Sequence, residues 1–237
     1  MAGYALITGA SEGIGRAVAR ALAGAGYNLV LTARNEQKLK TLRTELLKAS
    51  PQVNVLVLAY DLGATGQLHA LVDDLHAAGT VIDILVNNLG IYQPESMLAE
   101  KDEAFGAMMQ LNVFVPYFLS KILGQKMVDR KAGYIFGIVS IAGKTAIAGS
   151  GSYSVSKFAS YGLFQNLREE LRGSGVKVTA ILPGSTLTSS WTGTQIGSDR
   201  FVQPEDVASA VLNCLKMSSG ANVDEITITP LNFDAGA

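Results

Sequence analysis

Tyr153-Ser154-Val155-Ser156-Lys157 places a phenol and an ammonium at positions i and i+4 of a predicted helix, on one face. A free phenol titrates near 10, too high for acid–base work at neutral pH. A neighbouring ammonium favours the phenolate and lowers that value. A fall of about three units corresponds to roughly 4 kcal/mol and calls for a second positive charge alongside. Spacing alone does not single out this pair. Roughly 0.4 Tyr-x-x-x-Lys matches are expected by chance in such a composition. Two occur, the other being Tyr117 with Lys121. Ser140 decides between them. It closes the predicted fifth strand, thirteen residues before Tyr153, so a strand-end hydroxyl and a helix-start phenol can reach one carbonyl oxygen. Tyr117 has Ala104 at that offset and sits mid-helix, as a helix-face aromatic in the core or at an interface.

A second constellation opens the chain. Thr8-Gly9-Ala10-Ser11-Glu12-Gly13-Ile14-Gly15-Arg16 follows the first predicted strand and begins the first helix. Three glycines there allow a tight turn, close approach of a pyrophosphate, and packing of the helix on the sheet. The helix N-terminus then offers free N–H groups to phosphate. A glycine turn without a ligand is the alternative. At the end of the second strand, Ala33 lacks the carboxylate that would accept from a ribose 2′-OH, and Arg34 supplies a cation. Arg34 is either a partner for a 2′-phosphate, which implies NADP(H), or a solvated surface arginine. Glu12 would repel that phosphate unless it points away. Asp61, with Leu62 after the third strand, is placed either to meet an adenine amino group or to serve as a turn or N-cap residue. Asn87-Asn88-Leu89-Gly90 ends the fourth strand with another polar pair and a glycine.

These residues need a scaffold that brings strand ends together. Apolar, β-branched runs at 4–8, 28–32, 54–59, 82–87, 133–140, 177–182 and 225–229 predict seven strands. Helical patterns begin near Gly13 and end near Gly24, and others cover 36–49, 65–78, 102–130, 153–172 and 204–216. Alternating strands and helices imply βαβ units. The expected fold is α/β, a single doubly wound (Rossmann) three-layer domain over 1–237, with a seven-stranded, mostly parallel sheet and helices on both faces. Residues 184–203, rich in Ser, Thr and Gly, form a long loop expected to serve the substrate.

Composition closes off other classes. The chain has 237 residues, 48% of them apolar, with 19 Lys and Arg against 20 Asp and Glu. No basic block tracks a phosphate backbone, so nucleic acid is not an expected partner. The lone Cys214 allows no internal disulfide and is expected as a buried small hydrophobe, and two histidines, His69 and His76, leave a metal site without ligands. No metal, no membrane partner and a cytoplasmic location are expected, since neither a signal peptide nor a long apolar run stands out.

Taken in order, the motifs resemble the short-chain dehydrogenase/reductase family in its one-domain form, over essentially the whole chain. Thr8 to Gly15 is similar to its cofactor turn, Asn87 to Gly90 to its Asn-Asn-Ala-Gly signature, and Ser140, Tyr153 and Lys157 to its catalytic set. The resemblance implies Tyr153 as general acid in carbonyl reduction and Ser140 as the hydrogen-bond partner of the substrate oxygen. Lys157 would hold the nicotinamide ribose and lower the Tyr153 pKa. Asn112 would hold a water linking the lysine to solvent. Pro183-Gly184, with Thr186 and Thr188 beyond, is similar to the segment that meets the nicotinamide carboxamide.

Cofactor contacts are thus expected at Gly9, Ser11, Glu12, Gly13, Ile14 and Gly15, at Arg34, Asp61 and Leu62, and at Asn88 and Gly90, besides the residues just named. Leu89, where the family has a small Ala, either adds bulk beside the cofactor or repacks the core beneath. Pro116 removes the donor four residues after Asn112, so that carbonyl is free for a water and the helix should kink there, unless the kink serves packing alone.

The substrate pocket is expected to be small to medium and mostly apolar, walled by Ala142, Ile147 and Trp191 beside Ser140 and Tyr153. Tyr92, Gln93 and Ser185 are further candidates, and a charged substrate would need Lys144 or Arg200. The expected function is hydride transfer between NADP(H) and a carbonyl or secondary alcohol. The alternative is a non-catalytic NADP-binding regulator or scaffold. The ending Val223 to Pro230 is more similar to members acting on hydroxy-amino acids or pterin-like carbonyls than to fatty-acid reductases. Relatives pair their long helices, which implies a homotetramer or homodimer.

Overall fold

The computed structural model describes residues 3–232. Strand β1 (Tyr4–Thr8) lies between β2 (Asn28–Ala33) and β4 (Ile82–Asn87), parallel to both. Beyond β2 lies β3 (Val55–Ala59). Beyond β4 follow β5 (Gly133–Ile138), β6 (Val176–Pro183) and β7 (Glu225–Ile228). The order is β3-β2-β1-β4-β5-β6-β7, with every pairing parallel. The chain reverses direction across the sheet between β1 and β4. Ligand crevices of open α/β sheets lie outside the carboxyl ends of the strands at such a switch point.

Successive strand side chains point to opposite faces, so both faces need cover. On one side Ala5, Ile7, Leu29 and Leu31 pack under α1 (Gly13–Gly24), α2 (Glu36–Ala49) and α7 (Pro204–Leu215), through Leu22, Leu42 and Val211. On the other, Leu6, Val30 and Leu85 pack under α3 (Gln67–Ala77), α5 (Val115–Asp129) and α6 (Gly151–Glu170), through Leu71, Leu119 and Phe164. Among the described residues, no helix is long and apolar enough to cross a membrane.

Two departures from the sequence pattern bear on chemistry. The helix expected over 102–130 is interrupted. Helix α4 (Asp102–Met109) runs into a π-helical turn, Gln110–Phe114, and then into α5. The Val115 N–H reaches back to the Gln110 carbonyl. Pro116 lacks the N–H that the Asn112 carbonyl would otherwise meet, and a widened turn is how the helix accommodates the missing donor. The expected kink is thus a π turn at the expected place. Second, β5 ends at Ile138. Val139 still donates to the Ile181 carbonyl, but Ser140 lies beyond the strand and caps a 3-10 turn, Ile141–Gly143.

The tightest point of the fold is where α1 meets the sheet. A Cβ on Gly15 would lie 2.4 Å from the Gly9 carbonyl oxygen and 2.6 Å from Asn88 Nδ2. A glycine-to-alanine change inside a helix ordinarily stabilises by up to about 1 kcal/mol. At Gly15 the sign should reverse, with a loss of roughly 1–3 kcal/mol by overpacking. Gly24→Ala, which meets nothing within 4 Å, is the control and should be neutral or stabilising. Urea unfolding of the two variants measures this, and a Gly15→Ala protein as stable as wild type would refute the close approach.

Candidate active site

A cleft of about 700 Å³ opens at the carboxyl edge of the sheet, beside the β1/β4 switch point. One wall is the glycine turn, with Gly9, Ser11, Glu12, Gly13 and Ile14. Gly9 has φ +65°, a left-handed conformation that side chains rarely adopt. Glu12 stands at the N-cap of α1 with extended backbone and does not cap it with its side chain, so the first-turn amides are left for another acceptor. The turn is braced from β4. Asn88 Nδ2 donates to the Thr8 carbonyl at 2.9 Å and the Gly9 carbonyl at 3.2 Å, while Thr8 Oγ1 accepts from the N–H groups of Asn88 and Leu89. Leu89 both lines the cleft and packs on the core, so its two expected placements coexist.

The far end of the cleft is formed by the ends of β2 and β3. Ala33, Arg34, Asn35 and Lys38 line it, as do Asp61 and Leu62. Asp61 Oδ1 accepts from the Gly63 N–H, the turn role anticipated as one of its readings. The buried Thr32 hydroxyl, also in this wall, has no hydrogen-bond partner. The Glu12 charge is met by partners on the same cleft wall. Its carboxylate meets Lys38 at 2.7 Å and accepts from the Ser189 hydroxyl at 2.8 Å. These bonds, Lys38 first, hold its pKa below the ordinary carboxylate value. The cleft, the uncapped helix end and the glycine cradle fit a dinucleotide in size and polarity.

Next to the cleft, behind Gly90 and Ile91 of its wall, three elements bring the expected catalytic residues together. Tyr153 is in the first turn of α6, and Ser140 acts on its phenol in the direction that lowers its pKa. Ser140 Oγ is itself oriented by the Ala142 N–H at 3.1 Å. Lys157, one turn further, is 7% exposed, with its ammonium 5.6 Å from the Tyr153 ring centre. Asn112, in the π turn, is the knot behind them. Its amide donates to the Ile91 carbonyl at 3.1 Å and to Ser156 Oγ at 2.9 Å, and its oxygen accepts from the Ile91 N–H at 2.9 Å. Gly90 is needed between them, since a Cβ there would come within 2.9 Å of Asn112 Oδ1 and 3.5 Å of Lys157 Nζ.

Several expectations need correction. In the empty site Lys157 does not lower the Tyr153 pKa. Burial raises the phenol above its ordinary value and outweighs the Ser140 hydrogen bond, while desolvation brings Lys157 down to about 8. Ala142 is fully buried, so it supports Ser140 from the core rather than walling a pocket. Trp191 packs edge-on against Phe201 at 4.9 Å and thereby anchors the 184–203 loop locally. Lys144 is occupied by Glu225, so no cation is poised there for a charged substrate. Tyr117 is half exposed, which agrees with the interface reading of the two and not with the core.

Other residues fall as follows. Tyr92 packs edge-to-face on Tyr153 at 4.7 Å. Ile147 is exposed near the start of α6 and donates its N–H to Ser154. Pro183 ends β6, Gly184 continues into the loop, and the Thr186 hydroxyl donates to the Gly184 carbonyl. Thr188 touches the glycine turn at Gly13. Cys214 is buried, and His69 and His76 lie on the exposed face of α3.

Sequence reasoning missed three contributors. Lys38 lies four residues beyond Arg34, on the first turn of a helix that follows a strand end, and that was the available signal. Glu100 receives both the N–H and the hydroxyl of Ser152, and the Glu95 carbonyl receives the Gly151 N–H, so the segment after β4 caps the helix that carries Tyr153. Nothing in their spacing announces these long-range contacts.

The profile described as short chain dehydrogenase matches residues 3–196. The chain belongs to the short-chain dehydrogenase/reductase family. An uncharacterized oxidoreductase of Staphylococcus saprophyticus is 32% identical over 96% of this chain and 97% of its own. A metagenomic short-chain oxidoreductase solved with NADP is 30% identical, with a TM-score of 0.84 over 98% of each chain. The L-sorbose reductase of Gluconobacter frateurii, solved with NADPH and L-sorbose, is 27% identical, with a TM-score of 0.88 over 96% of this chain and 95% of that one. This short-chain dehydrogenase is an oxidoreductase with the family's fold.

Burial of Lys157 has a measurable cost. A free lysine titrates near 10.5 and Lys157 near 8, so between those values the unfolded chain holds the proton and the folded one does not. Stability therefore rises with pH across that window, and the full penalty applies below it. Lys157→Met should stabilise the cofactor-free protein at pH 7 by up to about 3 kcal/mol. The gain should shrink as pH passes 10. Equal melting temperatures for the two proteins at pH 7 would mean that the ammonium is solvated.

Proposed function

We propose that this protein is an NADPH-dependent ketoreductase acting on small or medium neutral carbonyls, with Tyr153 as proton donor. The observation that carries the reading is the buried Lys157 ammonium 5.6 Å from the Tyr153 ring, next to Gly90 on the wall of a dinucleotide-sized cleft, with Ser140 acting on the same phenol. Gly9, Gly13, Ile14 and Asn88 would hold the pyrophosphate half, with Arg34 at the 2′-phosphate. A bound dinucleotide would supply the hydride and, once oxidised, a positive charge.

The chain's own groups do the rest. Ser140 Oγ donates to the carbonyl oxygen and polarises it. Tyr153 gives its proton to that oxygen as the alcohol forms. Burial makes the phenol a weaker acid, so this transfer depends on the positive charge of Lys157 beside it. Lys157 then stabilises the phenolate, and Asn112 fixes the turn through which a proton returns. Tyr92, packed against the Tyr153 ring, walls the substrate side. With Lys144 engaged by Glu225, neutral carbonyls suit the pocket better than amino acids. The relatives solved with NADP or NADPH, one of them a reductase of the ketose L-sorbose, support the same cofactor and reaction.

Exposed aromatics on α4, the π turn, α5 and α6, namely Phe105, Phe114, Tyr117 and Phe158, favour a homodimer or homotetramer. The proposed compartment is the cytoplasm. Light scattering at micromolar concentration should give a multimer, and a monomer would refute the assembly.

The test of function follows loss of NADPH absorbance with a panel of activated ketones. Tyr153→Phe should lower turnover by about 10²–10⁴-fold while NADPH binding persists. NADPH should be preferred over NADH by roughly ten- to a hundredfold. Undiminished turnover in the variant would overturn the role of Tyr153. Tight binding without turnover on any ketone would favour a regulator that binds dinucleotide only.

A further inference from the structure

A carboxylate is out of place at the mouth of a phosphate-binding turn, yet Glu12 stands there, and its partners explain how it is tolerated. Lys38 Nζ lies 2.7 Å from one oxygen, and the Ser189 hydroxyl donates to the other. Glu12, Arg34, Asn35 and Lys38 line one wall of the main cleft. Ser11, Glu12, Arg16 and Lys38 also line an adjoining recess of about 340 Å³. Arg16 is engaged by Glu45 at 2.7 Å. Lys38 therefore reaches both cavities, and among the described residues its only ion-pair partner is Glu12.

Its backbone is fixed, because the Lys38 N–H donates to Asn35 Oδ1 at the N-cap of α2. Its side chain is half exposed and swings on a flexible stem. A ribose 2′-phosphate beside Arg34 carries more charge than a carboxylate and offers three acceptor oxygens.

We propose that Lys38 is a second cation for the 2′-phosphate, held in reserve by Glu12, and that Glu12 sets the preference for NADPH over NADH by competing for it. The proposal rests on the NADP(H) reading above. NADH brings no 2′-phosphate to draw Lys38 away, so Glu12 and Lys38 act on it only through the pyrophosphate that it shares with NADPH. NADPH has to break the Glu12–Lys38 pair to gain the second cation. The carboxylate thus limits the selectivity that Arg34 and Lys38 would otherwise reach together.

Isothermal titration with NADPH, NADH and adenosine 2′,5′-bisphosphate tests this without turnover. Glu12→Gln should tighten NADPH and the bisphosphate by about three- to tenfold more than it tightens NADH, and an equal change for all three would overturn the proposal. Glu36→Gln, which removes an equally exposed carboxylate paired with Lys40 on the same helix, should change none of them. The deciding comparison is Lys38→Met in the Glu12→Gln background. A phosphate ligand predicts a loss of about tenfold for NADPH and the bisphosphate alone, largely restored by Lys38→Arg. If Lys38 only shields Glu12, that loss is absent and the proposal falls. A cooperative thermal transition at the wild-type temperature verifies that each variant is folded. Wild-type protein that binds NADH as tightly as NADPH would instead overturn the cofactor reading itself.

Discussion

The contact on which the site depends is the near-collision of Gly15, Gly9 and the Asn88 amide. Helix α1 enters the sheet so closely that no side chain fits between its first turn and the loop that precedes it. That proximity aims uncapped helix amides into the cleft, where they can bind an anion. It is held from two directions. The Thr8 hydroxyl and the Asn88 amide lace β1 to β4 beyond the last ladder bond. From above, Thr188 of the 184–203 loop rests on Gly13. The glycine turn and the 184–203 loop thus share a wall.

The inner end of the cleft follows a different physics. Burying Lys157 and the Tyr153 phenol favours the neutral form of each. At pH 7 Lys157 is still mostly protonated, so a buried ammonium stands beside the phenol, and an oxyanion developing there relieves its cost. Such groups hold their geometry because rigid neighbours leave them no alternative. Asn112 spends its whole side chain on Ile91 and Ser156, and Glu100 closes the N-terminus of α6 just before Tyr153. The π turn that carries Asn112 owes its place to Pro116, which makes one missing backbone donor part of the site's construction.

Electrostatic economy also governs the outer end. A carboxylate in a phosphate-binding turn is tolerable only with a counter-ion, and Lys38 supplies it. The same ammonium lies on the wall of the cleft, so the arrangement that neutralises Glu12 places a cation where an incoming phosphate can use it.

Much of this was written locally. Strand and helix periodicities located all seven strands, and α1 and α2 match their expected bounds, because each element's burial pattern repeats over neighbouring residues. The glycine turn, Asn88, Ser140, Tyr153 and Lys157 were legible for the same reason. Each lies at a strand end or helix start, and a parallel sheet gathers those ends on one edge. Tertiary packing decided the rest. No local rule distinguishes a buried Ala142 from a pocket wall, places Trp191 on Phe201, or pairs Glu12 with a lysine 26 positions away. Nor does spacing give the sign of a pKa shift. The ammonium four residues from Tyr153 predicts a lowered phenol, but its environment raises it, because desolvation depends on everything packed around the group and not on its neighbours along the chain.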